Sequence, residues 1–330
     1  MKKVLQILCD VAVTVGCCVG VGFISGKEAQ VFFGNKVNAA IFCAVFFVVN
    51  FVVREHCRKQ RCDSVHHLNE SLFTRAATLF DALIALCSFV CIVTVLAGVE
   101  QCLNSILPLY SKLPLYAFAA ALVSSLLLNK GMSALKIVNI VAVAMAIALI
   151  FVLFSIKKGT HAENLQVPLF QPIVYALFSL TMSLGVVTKL GAESSRADNL
   201  IATALSSAIV TVLVLLVLPS GNFNSQLPTI DGITNKFLLA FAVITMLASA
   251  VTGLVANAFP IAQYLYGVIG DKTLCCAVTF GFALAFSMFG FDFAVKFGYA
   301  LVSLMGVITF IFAVFRGKRG TSDKARARLR

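Results

Sequence analysis

The sequence predicts an all-α integral membrane protein with about ten transmembrane helices. Apolar residues make up 60% of the 330 residues, charged residues only 12%, and the mean hydropathy is +0.98. Soluble domains are about half apolar and a quarter charged. Because a spanning helix needs about 20 mostly apolar residues, the apolar segments predict spans at 4–33, 36–53, 76–103, 114–129, 134–156, 168–194, 199–218, 235–267, 273–290 and 294–315.

Lysine and arginine predict the orientation of these spans. With the amino terminus in the cytoplasm, eighteen basic residues fall on the inner side and six on the outer side, leaving out Lys27 and Lys189, which fall within the interrupted segments. Inner loops of membrane proteins are enriched in Lys and Arg. We therefore expect a multi-pass protein of the cell membrane with both termini cytoplasmic. The net charge of +12 follows this asymmetry, so it does not indicate nucleic-acid binding.

The first span is interrupted by three glycines, Gly20, Gly22 and Gly26, which are followed at once by Lys27 and Glu28. Glycines weaken a helix, and lipid offers no partner for freed backbone groups. Such a break is tolerated only where it is buried in protein or lines a wet cavity. The pattern predicts a break between about residues 20 and 26, with a binding site beside it.

The sixth span carries a similar interruption, with two glycines and several hydroxyls between Ser179 and Glu193. It predicts a second break at about 183–188, half a chain after the first. Paired interruptions at corresponding positions indicate an inverted-repeat transporter. We therefore predict a five-helix repeat over 1–158, an inverted five-helix repeat over 159–315, and a basic cytoplasmic tail over 316–330 that we expect to be disordered.

Three sequence segments resemble those of known transporters. They are Gly-Val-Gly-Phe-Ile-Ser-Gly-Lys-Glu at 20–28, Val-Leu-Ala-Gly at 95–98, and Leu-Gly-Val at 184–186 with Leu-Gly at 190–191. The pattern is similar to the LeuT fold of the amino acid–polyamine–cation superfamily, and the chain resembles the bacterial YkvI-like membrane protein family. This resemblance implies a fold with broken helices 1 and 6, and transport, but no particular substrate.

The predicted substrate site is formed where the two interrupted spans cross. Free N–H groups at a half-helix start suit a carboxylate, which favours a small zwitterion such as an amino acid. Two alternatives stay open, since small residues also permit close helix packing and serine hydroxyls also bond to their own helix. The candidate residues are Gly20, Gly22, Phe23, Ser25, Gly26, Ser179, Ser183 and Gly185.

The coupling ion is expected to be sodium, with the proton as the alternative. The LeuT-like resemblance implies a sodium site formed by the carbonyls of Gly20 and Phe23 with Ala248, Ser249 and Thr252 of the eighth span, since oxygen ligands suit a hard cation. Ordinary small-residue packing is the competing interpretation of the eighth span.

A proton mechanism would use one of two ionisable residues. In some relatives a lysine of the fifth span replaces sodium, which points to Lys136 unless its side chain reaches the cytoplasmic edge. Glu28 is a candidate for gating or proton transfer, because an ionisable group within a span is functional by default. Its alternative is a solvated surface pair with Lys27.

These features predict an ion-coupled symporter rather than an enzyme, since phosphate-loop, nucleophile-elbow and metalloprotease motifs are missing from the sequence. No cofactor is expected, and the expected partners are a small-molecule substrate and membrane lipid. A non-transporting sensor on the same fold and a channel are the alternatives. A loop with loose zinc spacing leaves metal binding open, at His56, Cys57, Cys62, His66 and His67.

Overall fold

The computed structural model describes residues 2–108, 113–130, 132–157, 166–220, 227–290 and 298–327, and these ranges contain helices and no strand. We number the helices in chain order. They are α1 Lys2–Cys18, α2 Val21–Ile24, α3 Lys27–Phe32, α4 Lys36–Gln60, α5 Val65–Phe73, α6 Ala77–Ile106, α7 Leu115–Lys130, α8 Met132–Lys157, α9 Gln171–Glu193, α10 Arg196–Val217, α11 Lys236–Ile269, α12 Lys272–Ser287 and α13 Tyr299–Ala327.

The helices occupy the ten predicted spans. In the described ranges, seven segments are long and apolar enough to cross a membrane, and three shorter apolar helices lie at Val4–Cys18, Leu115–Leu128 and Thr273–Ser287. The all-α membrane architecture is thereby confirmed. Helix α5, between the second and third spans, was not predicted. Helix α13 continues to Ala327, into the predicted tail.

Polar residues start several of these helices. The first N–H groups of a helix have no partner within it, and an Asn, Ser or Asp side chain at the preceding position accepts from them. Asn35 accepts from the N–H of Asn38 at the start of α4, and Ser195 accepts from that of Asp198 at the start of α10. Asp271 does the same for α12. These residues set where the polar connections end and the apolar spans begin.

Four spans of the first half contact their counterparts in the second half. Helix α1 contacts α9, α4 contacts α10, α6 contacts α11, and α7 contacts α12. This pairing is compatible with the predicted repeat. It brings the interrupted first span against α9 and places both beside the third and last spans.

The predicted break in the sixth span is wrong. Helix α9 runs without interruption through 183–188. The hydroxyl of Ser183 donates to the carbonyl of Leu180, and that of Thr188 donates to the carbonyl of Leu184, so both bond within the helix. The glycines serve packing instead. A Cβ on Gly185 would lie 3.1 Å from Cγ of Pro260 on α11, and one on Gly191 would lie 2.9 Å from the backbone of Arg54 on α4.

Candidate functional site

The first span is broken as predicted. Helix α1 ends at Cys18, the backbone at Gly20 is extended, and α2 then forms a single turn. A second interruption follows at Gly26, whose φ of 84° lies in the left-handed region that glycine adopts without strain. Helix α3 starts at the next residue. The first span therefore consists of three helical pieces with two non-helical joints, the inner joint at residues 19–20 and the outer joint at residues 25–26.

The outer joint is covered by a segment of the connection between α10 and α11. Thr229 donates its N–H to the carbonyl of Ser25 at 3.1 Å and its hydroxyl to the carbonyl of Ile24. A Cβ on Gly26 would lie 2.8 Å from Cγ2 of Thr229, so a glycine is required for this contact. The segment thus pairs carbonyls that the joint leaves without a helical partner.

A small cavity lies against the inner joint, between the first, third, sixth and last spans. Its free volume is about 20 Å³, enough for roughly one water molecule. In this structure the cavity is therefore too small for an organic solute. The lining residues are Cys17, Cys18, Gly20, Val21, Gly22, Glu28, Cys91, Thr94, Val95, Gly98, Phe178, Met182 and Tyr299.

Glu28 is the acidic residue of this cavity. Its side chain is buried, and the whole residue is only 5% exposed. The hydroxyl oxygen of Tyr175 on α9 lies 2.5 Å from Oε2 of Glu28, and that of Tyr299 on α13 lies 2.6 Å from Oε1. The Tyr175 hydroxyl is also 3.0 Å from the carbonyl oxygen of Cys18. The carboxyl group therefore joins the first, sixth and last spans.

Aromatic rings form one wall beside the carboxyl group. The rings of Phe178 and Tyr299 are stacked with centroids 3.8 Å apart, and Phe32 stacks on Tyr299 at 5.4 Å. Tyr175 packs against Phe32 and Phe33. This packing fixes the directions in which the two tyrosine hydroxyls point. The site thus combines an apolar, aromatic side with a polar end at Glu28.

The structure brings only part of the predicted substrate set together. Gly20 and Gly22 line the cavity, but Ser25 donates to the carbonyl of Gly22 within the first span. The rest lie outside the lining. Phe23 is fully buried, Gly26 contacts Thr229, Ser179 lies beside the Cys18 thiol, and Ser183 and Gly185 serve α9 and its packing.

The three predicted ion ligands on α11 do not line the cavity, and two of them are buried. Ser249 is 2% exposed and Thr252 is 1% exposed, while Ala248 is half-buried. The Thr252 hydroxyl donates to the carbonyl of Ser249 at 2.8 Å, which leaves its oxygen lone pairs available. The carbonyls of Gly20 and Phe23 each accept a backbone N–H, from Ile24 and Gly26. The side chain of Lys136 lies outside the described part of the structure.

The alternative of a solvated Lys27–Glu28 pair is wrong, because Glu28 is enclosed by aromatic residues. Sequence reasoning missed Tyr175, Tyr299 and Phe178, which complete the site. The available signal was a tyrosine in the middle of an apolar span, since a buried tyrosine hydroxyl usually has a partner. A partner from another span is not visible in the sequence.

A second buried polar cluster lies where α1, α4 and the end of α9 meet. Arg54 is fully buried rather than in a loop, so it does not belong among the loop charges that set the orientation. Its Nη2 donates to the hydroxyl of Thr14, which in turn donates to the carbonyl of Asp10. Asp10 is the acidic residue that acts most strongly on the Arg54 charge. Ser194 also donates to Asp10, at 3.4 Å.

The residues considered for zinc are engaged in other contacts. His56 pairs with Ser71, His66 with Asp81, and His67 with Asp63. A hydrogen bond with Cys57 lowers the pKa of the Cys62 thiol to about 7. Within the described ranges, no three His, Cys, Asp or Glu side chains converge as metal ligands would.

Solved structures show which fold this arrangement belongs to. Two structures of Mhp1, a nucleobase-cation-symport-1 family transporter, match the chain. One is the inward-facing conformation, at 14% identity and a TM-score of 0.56, covering 92% of this chain and 75% of Mhp1. The other is a closed conformation with bromovinylhydantoin bound, at 15% identity and a TM-score of 0.58, covering 92% and 74%.

The chain shares its fold with Mhp1. This is the LeuT fold that the sequence predicted, although α9 is continuous here. No family model and no curated protein matches the chain. Membership of the YkvI-like family therefore stays a prediction.

Proposed function

We propose that this protein is an ion-coupled secondary transporter of a small organic solute, which binds in the Glu28 cavity and crosses by alternating access. The observation that carries the proposal is the location of the cavity. It lies at the inner joint of a broken first span, encloses a buried carboxyl group, and is contracted to about 20 Å³. A break of this kind exposes backbone groups to a ligand in the middle of the membrane.

The shared fold supports this proposal. Mhp1 is named as a cation symporter, and one of its structures holds a small organic ligand in a closed conformation. A contracted, closed cavity is what an alternating-access transporter forms between its two open states. We place the protein in the cell membrane with both termini cytoplasmic, and we retain the YkvI-like family as its proposed relative.

Sodium symport is the proposed coupling, with the proton as the alternative. Ser249 and Thr252 support sodium, because both are buried on the third span of the second half and Thr252 keeps free lone pairs. Glu28 supports the proton, since it is the acidic residue of the cavity. From the sequence, an amino acid is the proposed substrate class.

Counterflow in proteoliposomes tests the transport function. Vesicles are loaded with unlabelled solutes from a panel of amino acids and amines, and entry of a labelled tracer is followed without any ion gradient. We expect tracer to accumulate transiently, and to fail to do so with Gly22→Leu, which displaces Glu28. A sensor would bind the solute without exchanging it, and a channel would instead give single-channel currents.

A further inference from the structure

The hydroxyl hydrogen of Tyr175 has two acceptors to choose from. The phenol oxygen lies 3.0 Å from the carbonyl of Cys18 and 2.5 Å from Oε2 of Glu28, but a phenol carries only one hydrogen. Cys18 is the last residue of α1, so its carbonyl is among those that a helix end leaves unpaired. If Tyr175 donates to Cys18, the short contact with Glu28 requires a hydrogen on the carboxyl group.

The other oxygen of Glu28 fits the same assignment. Tyr299 donates to Oε1, which is then the carbonyl oxygen of a protonated carboxyl group, while the Oε2 hydroxyl donates to Tyr175. Every polar atom of this group is satisfied in that arrangement. An ionised Glu28 would instead compete with Cys18 for the single hydrogen of Tyr175, and the loser would stay buried without a donor.

The charges around Glu28 lead to the same assignment. The titratable groups facing it among the described residues are uncharged at neutral pH in their ordinary forms, namely Tyr175 on α9, Tyr299 on α13, Cys17 and Cys18 on α1, and Cys91 on α6. No basic side chain of the described residues lines the cavity. A buried carboxylate without a counter-charge is costly. In the closed form Glu28 must therefore hold a proton or face a cation supplied by the ligand.

We propose that Glu28 is a shared site for a proton and for the ammonium group of a primary amine substrate, so that each displaces the other. This inference rests on the proposed transport function and names its substrate class. When the amine binds, the O–H bond of Glu28 breaks, the proton leaves to water, and the carboxylate pairs with the ammonium. The reverse step reloads the proton and releases the amine.

The lining fits such a substrate. When Glu28 is ionised the Tyr175 hydrogen turns to Oε2, and an ammonium group has three donors, enough for the second lone pairs of the carboxylate and for the Cys18 carbonyl that Tyr175 leaves. The stacked rings of Phe178 and Tyr299 attract a cation and accept an apolar body. The carboxylate that was predicted to bind at the break is not required, because the cavity supplies an acidic rather than a basic partner. The sodium site on α11 is independent of this exchange and is tested separately.

The test measures binding and proton release together. Isothermal titration calorimetry of the purified protein in phosphate and in HEPES, whose ionisation heats differ and neither of which is a primary amine, gives the protons released per ligand bound. The probes are straight and branched alkylamines of two to six carbons, each with the carboxylate and the alcohol of the same skeleton and the corresponding amino acid. We expect amines to bind with about one proton released, and the matched carboxylates and alcohols to bind at least about 10-fold more weakly.

Glu28→Gln provides the decisive variant. Its amide has the shape of a protonated carboxyl group, with an N–H for Tyr175 and an oxygen for Tyr299, so the variant should fold. We expect amine affinity to fall at least about 10-fold with no proton release. Glu100→Gln is the control, because Glu100 accepts a backbone N–H from Ala117 and lies outside the cavity lining. Folding is checked by thermal unfolding with a thiol-reactive dye.

Four results would overturn the proposal: carboxylates bind and amines do not, no amine of the panel binds, amines bind without proton release, or Glu28→Gln binds amines as tightly as the unchanged protein. If Glu28→Gln does not fold, the pH dependence of amine binding to the unchanged protein provides the test. Amine affinity must then fall about 10-fold per pH unit on acidification below the point where Glu28 takes up its proton, and a flat profile would contradict the exchange. Amine binding with proton release but no counterflow would contradict transport and leave this inference standing.

Discussion

A Cβ atom on Gly22 would lie 2.6 Å from Oε1 of Glu28, so the missing side chain at one position makes room for the carboxyl group at the other. The two residues stand on either side of the left-handed turn at Gly26, which folds α3 back against α2. Glycine at 22 therefore positions the acid of the cavity. From the sequence, Gly22 was expected to be a substrate-binding residue itself.

Gly22→Ala should disturb the site without preventing folding. The added methyl group overlaps the Glu28 carboxyl group, which must turn away from Tyr299 at a cost of about 1–3 kcal/mol. We expect ligand affinity to fall at least about 10-fold, a change that corresponds to about 1.4 kcal/mol. Binding calorimetry on the purified variant provides the measurement.

Gly281→Ala is the matched control for this substitution. Gly281 lies in α12, and a Cβ there would meet no atom within 4 Å. Alanine also favours a helix over glycine by about 1 kcal/mol. Affinity in this variant should be unchanged. Equal affinity in Gly22→Ala and the unchanged protein would show that ligand binding does not depend on the Glu28 carboxyl group in the position it has in the structure.

Gly306→Ala should destabilise the contact between α13 and α9. A Cβ on Gly306 would lie 2.3 Å from the carbonyl oxygen of Leu177, and backbone atoms cannot move aside as a flexible side chain can. The same contact carries the hydrogen bond from Thr181 to the carbonyl of Val302. We expect a loss of about 1–3 kcal/mol or more in unfolding free energy. The midpoint of thermal unfolding should be lower in Gly306→Ala than in the unchanged protein, whereas Gly281→Ala should not lower it.

Thr229→Val should loosen the cover over the outer joint of the first span. Valine keeps the shape but leaves the carbonyl of Ile24 without its hydroxyl donor, which costs about 1–3 kcal/mol at a buried site. We expect the cavity thiol of Cys91 to react faster with a membrane-impermeant maleimide, as followed by peptide mass spectrometry. In the control Thr211→Val, the lost hydroxyl bonds only within α10. An unchanged Cys91 rate would mean that the segment does not close the site.

The break in the first span could be predicted from the sequence, but the continuity of the sixth could not. In both spans the sequence shows glycines, hydroxyls and a Lys/Glu pair within an apolar run. The difference lies in tertiary contacts. Gly185 faces Pro260 and Gly191 faces the backbone of Arg54, whereas Gly26 takes a left-handed conformation. Close packing and a break both require glycine, so composition alone does not separate them.

Part of the candidate site could also be predicted from the sequence. Glu28 and Gly22 were identified because an acid and glycines stand out within an apolar span. Tyr175 and Tyr299 were missed, since they lie 147 and 271 residues from Glu28 in the chain and each is a single polar tip on an apolar helix. The pairing of Arg54 with α1 was hidden for the same reason. Contacts between distant spans depend on packing that no local pattern records.

Sodium coupling can be tested on α11 alone. Ser249→Ala with Thr252→Val removes two buried hydroxyls from one helix face, and we expect solute uptake in proteoliposomes to lose its sodium dependence and fall at least about 10-fold. Thr245→Val is the control on the same helix, because Thr245 is also buried and bonds within the helix but is not one of the predicted ion ligands. Uptake that ignores sodium, follows a proton gradient and is lost in Lys136→Ala would show that the proton is the coupling ion.

The buried charges of Arg54 and Asp10 should prove strongly coupled. Arg54→Gln leaves the carboxylate of Asp10 in a buried position without its main counter-charge, and Asp10→Asn does the converse. Each should cost about 3–5 kcal/mol in unfolding free energy, while the double variant should cost less than the two singles together, because the pair offsets its own desolvation penalty. Chemical unfolding in detergent, compared across the four proteins, gives the coupling energy.

Arg58→Gln provides the control for this cycle, since it lies one turn further along α4. Arg58 forms a partly exposed pair with Glu55 at 2.7 Å, and such pairs contribute about 1 kcal/mol or less. A loss for Arg54→Gln no greater than for Arg58→Gln would show that the Arg54 charge is neutralised in another way. If the loss in the double variant equals the sum of the two single losses, Asp10 and Arg54 do not stabilise each other. A large coupling would instead mean that α1 is fastened to α4 through the Thr14 hydrogen bond and the charges of Asp10 and Arg54, so that its movement must separate these groups.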